Sequence, residues 1–527
     1  MRSSKYLVHQ LVTDTAAWLP QGEAVRCQGQ GLSYAQLACQ IELVSAALLA
    51  LGIQRCERVA VYLEKRLETV IALFGASMAG AAFVPVNPLL KAQQVAFQLM
   101  DCQVRILVTS AERFQTLLPV LLTCPDLQTV IVTGHFSGPS NGYPFQIVGW
   151  DALAELNGNH RAHRCIDQDL AAILYTSGST GKPKGVMLSH RNLVSGAHSV
   201  ASYLHNTPDD RVLCVLPLSF DYGLSQLSTV FLTGGTAVLL NYLMPADILD
   251  AVKQEHITGL AAIPPLWNQL AQLDWSGVTS LRYLTNSGGV MQRPALAALR
   301  TRLPQTLIYL MYGLTEAFRS TCLDPGQIDV RPDSIGKAIP NNEVLVLRAD
   351  GTVCDPEEPG ELVHRGALVA LGYWNRPELT AERFRPIPVG QQPGAELAVW
   401  SGDIVRTDRD GYLYYAGRRD EQVKVSGYRI SPNEVEEVLF RFDGIRELAV
   451  VGVTHPELGQ ALLAVIEQND AGTLNAEALR RHCQRYLPTY MVPMHIEIDS
   501  SVLPRNANGK INRPLLQQRF ATFFQAQ

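Results

Sequence analysis

Residues 174–185 read LYTSGSTGKPKG and follow directly on the apolar run 170–174. The hydroxyls of Thr176, Ser177, Ser179 and Thr180 can donate hydrogen bonds, Gly178 and Gly181 let backbone N–H groups turn toward an anion, and Lys184 adds positive charge. That combination suits a polyphosphate. A Walker loop is excluded: Gly181-Lys182 is followed by Pro183 where that motif needs Ser or Thr, and the position five before Gly181 is Thr176. A Ser/Gly-rich surface turn is the bland alternative from these residues alone.

Further groups of chemically capable residues lie far along the chain. Tyr312-Gly-Leu-Thr-Glu316 reads locally as a helix start with a capping acid. Asp403 in WSGD reads as a turn residue, Arg418 in Gly417-Arg418 as a solvated charge, and Lys510 after Asn508-Gly509 as a loop residue. Asp221 in PLSFDYG reads as a helix cap, as the partner of a protein cation, or as a carboxylate waiting for a ligand ammonium.

The string YTSGSTGKPKGV resembles the signature of the adenylate-forming superfamily of acyl-CoA synthetases, amino-acid adenylation domains and beetle luciferase, and the other groups follow in that superfamily's order over essentially the whole chain. The resemblance implies an enzyme that joins a carboxylic acid to AMP, expels pyrophosphate and passes the acyl group to a thiol. Implied cofactors are ATP, Mg2+ and coenzyme A or a carrier protein's phosphopantetheine. On that resemblance Thr176–Lys184 hold the outer phosphates, Thr315 bonds the α-phosphate, and Glu316 coordinates Mg2+, with Gly313 in the same turn. Tyr312 stacks on adenine beside the glycine turn Ser287-Gly288-Gly289. Asp403 and Arg418 hold the ribose. Lys510, in LPRNANGKINR, reaches between the acid and the α-phosphate to stabilise shifting charge. The family's small C-terminal domain rotates between the two half-reactions about a hinge at Asp420. The segment around Gly427 then lines the thiol's path, and Arg429 contacts phosphate or phosphopantetheine.

Matching the family's substrate pocket gives Asp221, Tyr222, Ser225, Ala262, Thr285, Ser287, Met311, Arg319 and Ser320. That set is polar and modest in size, unsuited to a long alkyl chain. Phe220-Asp221 is similar to amino-acid adenylation domains, whose Asp pairs with the substrate α-ammonium; Arg319 is a cation for Asp221 or for a second carboxylate on the substrate. SFDYGLSQL with YGLTEAFRST and RPDSIGKAIPN resembles bacterial AMP-forming ligases found beside exosortase A genes. The implied activity is an acyl-CoA ligase, with a stand-alone enzyme that loads an amino acid onto a separate carrier as the alternative. No LGGxS-type attachment serine occurs, so the expected acceptor is CoA or a separate carrier.

The elements that must position these residues alternate strand-like and helical runs (RVAVYLE, ETVIALFGASMAG, AAFVPVN, then KAQQVAFQLMDC), which predicts α/β architecture with largely parallel sheets. After about residue 335, EVLVLRADGTVCD, GELVHRG and GYLYYAGR predict short antiparallel strands with Asp-Gly turns, a β-barrel-like subdomain. SPNEVEEVLFRF predicts a helix with Ser431 as N-cap. The expected division is a large N-terminal domain over 1–419 and a small, mobile α+β domain over 420–527. The 527 residues are 47% hydrophobic and 18% charged with net charge −5, which offers no concentrated basic face for nucleic acid. Ten scattered cysteines without CxxC spacing point to free thiols and a cytoplasmic setting. Two charge-free stretches, 69–90 and 222–246, are long enough to span a bilayer, but Gly and Pro divide each into helix, turn and strand, so no transmembrane segment is expected.

Overall fold

Strand Arg58–Tyr62 is almost wholly buried, as expected of a parallel strand covered on both faces. Parallel neighbours flank it, Ala82–Pro85 on one side and Val104–Ser110 on the other. Together with Thr129–Thr133, Gln146–Gly149, Leu170–Thr176, Lys184–Ser189 and Gly372–Tyr373 they make an eight-stranded sheet. The computed structural model describes residues 5–136, 142–156, 161–176, 182–387, 397–418, 422–468, 474–499, 503–505 and 511–525.

Both stretches tested against a membrane resolve into helix, turn and strand. Helix Leu67–Ala79 ends on Gly80 at φ 84°, before strand Ala82–Pro85. Helix Asp221–Thr233 ends on Gly234 at φ 90°, before strand Thr236–Leu239. Among the described residues no helix is long and apolar enough to cross a membrane.

A second sheet runs in parallel through Glu23–Cys27, Thr236–Leu239, Arg211–Cys214, Gly259–Ala262, Tyr283–Asn286 and Leu307–Tyr312. Beyond Leu307–Tyr312 it turns antiparallel, through Thr321–Leu323, Ser334–Ala338, Leu413–Arg418, Ala398–Thr407, Gly360–Gly366 and Asn342–Leu347. The expected Asp-Gly turns are here, with Gly351 at φ 86° and Gly411 at φ 81°. Helices Tyr34–Ala50, Leu67–Ala79 and Asp221–Thr233 fill the space between the two sheets. Phe231 meets Phe74 edge-on at 5.3 Å and Tyr34 at 6.2 Å, so both sheets share one core.

From Val423 onward the chain builds a third, five-stranded sheet. Along Ile445–His455 alternate side chains enter different cores: Leu448 and Val450 pack under helices Pro432–Leu439 and Ala476–Tyr486, whereas Ala449, Val451 and Val453 meet Leu516 and Phe520. The architecture is therefore mixed α/β, with a large N-terminal body and a small C-terminal one. Helix Pro432–Leu439 starts where the sequence predicts, but Ser431 makes no side-chain cap: its Oγ is buried without a hydrogen-bond partner.

Candidate active site

In an open parallel sheet the loops leaving the C-terminal strand ends cluster on one side, which is where such folds place ligands. Here those loops are Val215–Phe220, Ile263–Pro264, Ser287–Gly289 and Gly313–Arg319, leaving Arg211–Cys214, Gly259–Ala262, Tyr283–Asn286 and Leu307–Tyr312 respectively. Residues of all four line a cleft of about 600 Å3, shared with Thr176 and with Gly427, Tyr428 and Arg429 of the C-terminal body.

The charged centre lies beside it. Lys184 opens the strand that pairs back onto Leu170–Thr176, with Thr176 opposite it. Its Nζ donates to the Tyr373 hydroxyl at 2.6 Å and lies 3.2 Å from Glu316 Oε1; the Tyr373 hydroxyl donates to the same Oε1 at 2.8 Å. Glu316 is 3% exposed. Burial pushes its carboxyl up, but the Lys184 and Arg429 charges outweigh burial and hold it well below the usual carboxylate range. Burial also lowers the Lys184 amine, against the pull of Glu316. Glu316 does not cap a helix: Thr315–Ala317 is a single 3-10 turn, and the carboxylate turns inward to Tyr373 and Lys184.

Arg429 links this centre to a second carboxylate. Its Nη1 is 3.8 Å from Glu316 Oε2 and its Nη2 is 3.9 Å from Asp403 Oδ2. Asp403 is no turn residue; it lies inside strand Ala398–Thr407, paired with Arg418 across the ladder, and Tyr312 donates a hydrogen bond to its Oδ2. Tyr312 stands 6.2 Å from the nearly parallel ring of His364. His364 is fully buried, neither ring nitrogen has a hydrogen-bond partner, and burial lowers its pKa to about 4.

The glycine turn and the hairpin Val423–Val425/Tyr428–Ile430 meet directly. Gly288 (φ 86°) and Gly427 (φ 81°) both abut Ile263, and a Cβ on Gly288 would stand 3.9 Å from the Gly427 Cα. Phe220 and Tyr428 rings are 4.8 Å apart. A second cavity of about 580 Å3 runs from Gly288, Tyr312 and Asp403 past Gly427 to Arg513 and Gln517.

In the predicted acid pocket, Asp221 is the first residue of its helix, whose N-cap is Phe220, so it does not cap. Its Oδ2 lies 4.0 Å from Arg319 Nη1. Tyr222 bonds Thr285 Oγ1 at 2.6 Å, and Tyr222, Ser225, Thr285, Met311 and Arg319 surround a recess of about 30 Å3. Ala262 ends its strand next door, Ser287 lines the large cleft, and Ser320 is buried with an unpartnered Oγ. Ser177, Gly178, Ser179, Thr180, Gly181, Asp420, Lys510 and the Arg418 side chain lie outside the described residues.

Residues 12–374 match the AMP-binding enzyme family and residues 434–510 match the AMP-binding enzyme C-terminal domain. The chain belongs to the AMP-binding enzyme family. Bacitracin synthase 3 of Bacillus licheniformis is 30% identical over 98% of this chain, which spans only 8% of that synthase. The o-succinylbenzoate CoA synthetase of Bacillus subtilis is 26% identical, with a TM-score of 0.80 over 97% of this chain and 98% of that one. An amide bond synthetase from Marinactinospora thermotolerans shares the fold at a TM-score of 0.85 over 98% of this chain and 99% of that one, with 24% identity.

The site's fit to a nucleotide and its metal rests on orphaned polar atoms. Thr176 Oγ1 and Glu316 Oε2 are buried without hydrogen-bond partners. An ionised carboxylate with an oxygen that accepts no hydrogen bond suits a hard cation, and no group of three His, Cys, Asp or Glu side chains among the described residues could hold a metal alone. An ion that takes most of its ligands from phosphate oxygens and water fits that arrangement. Tyr373 and His364 escaped the sequence reading. Tyr373 lies in LGYWNRP and His364 in GELVHRG, and neither stretch carries local chemical signal; only pairing across 57 residues brings Tyr373 to Glu316.

Proposed function

We propose that this chain activates a carboxylic acid with ATP and transfers the acyl group to the thiol of coenzyme A. An oxygen of the acid attacks the α-phosphorus, the bond to the β-phosphate breaks, and pyrophosphate leaves. The thiol sulfur, as thiolate, then attacks the carbonyl carbon and AMP departs. On this reading residues 1–419 bind the acid and nucleotide, and residues 420–527 supply Lys510 to the first step and the Gly427 segment to the second.

The observation that carries the reading is the Lys184–Tyr373–Glu316–Arg429–Asp403 cluster, which gathers two carboxylates of the large body and one cation from each body beside the cleft. Lys184 would neutralise the outer phosphates while Tyr373 holds Lys184 and Glu316 in register. Thr176 and Thr315 would donate to phosphate oxygens. Asp403, steadied by Tyr312, would accept from the ribose. Mg2+, held through Glu316, would supply charge neutralisation on the phosphates. A second reading, a stand-alone enzyme that charges a separate carrier with an amino acid, draws on Asp221, whose carboxylate faces the cleft 4.0 Å from Arg319, too far for a hydrogen bond.

Acid-dependent ATP–pyrophosphate exchange tests the first half-reaction, and CoA against carrier protein as acceptor separates the two readings. Lys510→Ala should lower exchange by about 100-fold or more, the scale of losing one preorganised stabiliser of transition-state charge, while thiol transfer from a supplied adenylate stays largely intact. Equal losses in both half-reactions would refute the division of labour between the two bodies.

A further inference from the structure

Arg319 is 3% exposed and carries a permanent charge. Its position is set on every side. It follows Phe318, held at φ 47°, and its guanidinium lies over the Tyr222 ring at 4.6 Å. Tyr222 is itself pinned by Thr285. Among the described residues the one carboxylate within 4.0 Å is Asp221, beyond hydrogen-bond reach. Arg319 Nη2 is buried and nothing among the described residues accepts from it. Leaving a charged donor buried and unfilled costs more than filling it returns in most settings, so a chain that keeps such a group has an acceptor for it at some stage of its cycle.

The surroundings say where that acceptor comes from. Arg319, Asp221 and Tyr222 line the large cleft together with Gly313 and Thr315, where the reacting carboxylate is expected. Arg319 also lines a recess of about 30 Å3 closed by Tyr203, Thr285 and Met311. That is too small for an alkyl tail.

We propose that Arg319 is the specificity-determining residue of the acid pocket and that the substrate is a short acid whose far end carries a second carboxylate, bonded by Nη2. The inference rests on the ligase reading and narrows it. Asp221 balances Arg319 before substrate arrives; in a diacid that also carries an ammonium the far carboxylate and the ammonium cancel, leaving only the reacting carboxylate, so such an acid is the favoured member of the class. Met311 and Tyr222 set the length of the chain, Arg319 its terminus.

The test pairs short diacids, with and without an α-amino group, against monoacids in which a methyl or carboxamide replaces the far carboxylate. In pyrophosphate exchange the wild-type protein should favour the diacids in kcat/KM. Arg319→Met, close in volume but without donors, should lower the ratio of diacid to matched-monoacid kcat/KM by about 10- to 200-fold, the range of a charge-assisted hydrogen bond. Monoacids used as well as diacids by the wild-type protein overturn the proposal, as does an Arg319→Met variant that loses all acids alike while binding ATP normally. The wild-type ranking stands even where the variant fails to fold. If no acid supports exchange, the ligase reading fails by itself. Calorimetric binding of a diacid to the wild-type protein with a non-hydrolysable ATP analogue then decides: heat lost in Arg319→Met supports the assignment, and equal heat or none overturns it.

Discussion

At the scale of single residues the site is an exercise in charge balance. Glu316 and Lys184 are both almost wholly enclosed, and each holds the other's charge in place through direct approach and through Tyr373. Removing one member of a buried pair leaves the other uncompensated, typically at about 3–5 kcal/mol. Glu316→Gln should therefore lower stability by that order and abolish exchange, read as a shift in the urea midpoint and a lost exchange signal. Tyr373→Phe, which keeps the ring over Lys184 but removes the hydroxyl, should be milder in stability. Glu316 and Asp403, which the structure brings to one arginine, could be singled out in sequence because their neighbours form strings that few other proteins carry. Tyr373 and His364 could not, since their meaning arises only when strands far apart in the chain become neighbours.

At the scale of elements, punctuation was the readable part. Gly80, Gly234, Gly351 and Gly411 all end or turn elements where their backbone freedom predicts. Capping was half readable: Ser431 takes the N-cap position but its side chain makes no capping bond, and Asp221 opens its helix behind Phe220. The hairpin Val423–Val425/Tyr428–Ile430 presents Gly427 to Ile263 and Gly288 with contacts near 3.1 Å for any added Cβ. A side chain there must displace Ile263 and adopt a left-handed backbone at a cost of about 1–2 kcal/mol. Gly427→Leu should leave pyrophosphate exchange within a few-fold of normal and slow thioester formation by about tenfold or more, measured as acid- and CoA-dependent AMP release.

At the scale of the whole molecule, buried titratable groups set the pH response. His9, His190 and His364 each have a pKa lowered to about 4, by burial above all. The unfolded chain protonates these rings near 6.5, so between about pH 6.5 and 4 it binds more protons than the fold does, and stability falls as the pH drops through that window. Glu434 acts in the opposite direction. It sits on the C-terminal body against Gln94 of the large one, with Oε2 buried, and burial raises its pKa to about 8. The fold keeps that proton where the unfolded chain releases it, so its contribution is present below about pH 4.5 and is lost as the pH rises through 8. Thermal midpoints across pH 4–9 should thus decline at both ends. Glu434→Gln should flatten the decline between about pH 6.5 and 8, by about 1.4 kcal/mol per pH unit for the one proton involved, and steepen the acid arm above about pH 4.5, where Glu434 otherwise offsets part of the histidine effect.

Arg429 reaches from the smaller body to two carboxylates of the larger, Glu316 and Asp403. In this arrangement the protein supplies its own counterion to the groups expected to greet metal and sugar. On the proposed reading nucleotide and arginine would compete for one berth, and whichever occupied it would bias the posture of the C-terminal body. Substrate loading and reorientation would then be a single equilibrium, and the affinity measured for ATP would include the work of evicting a resident side chain.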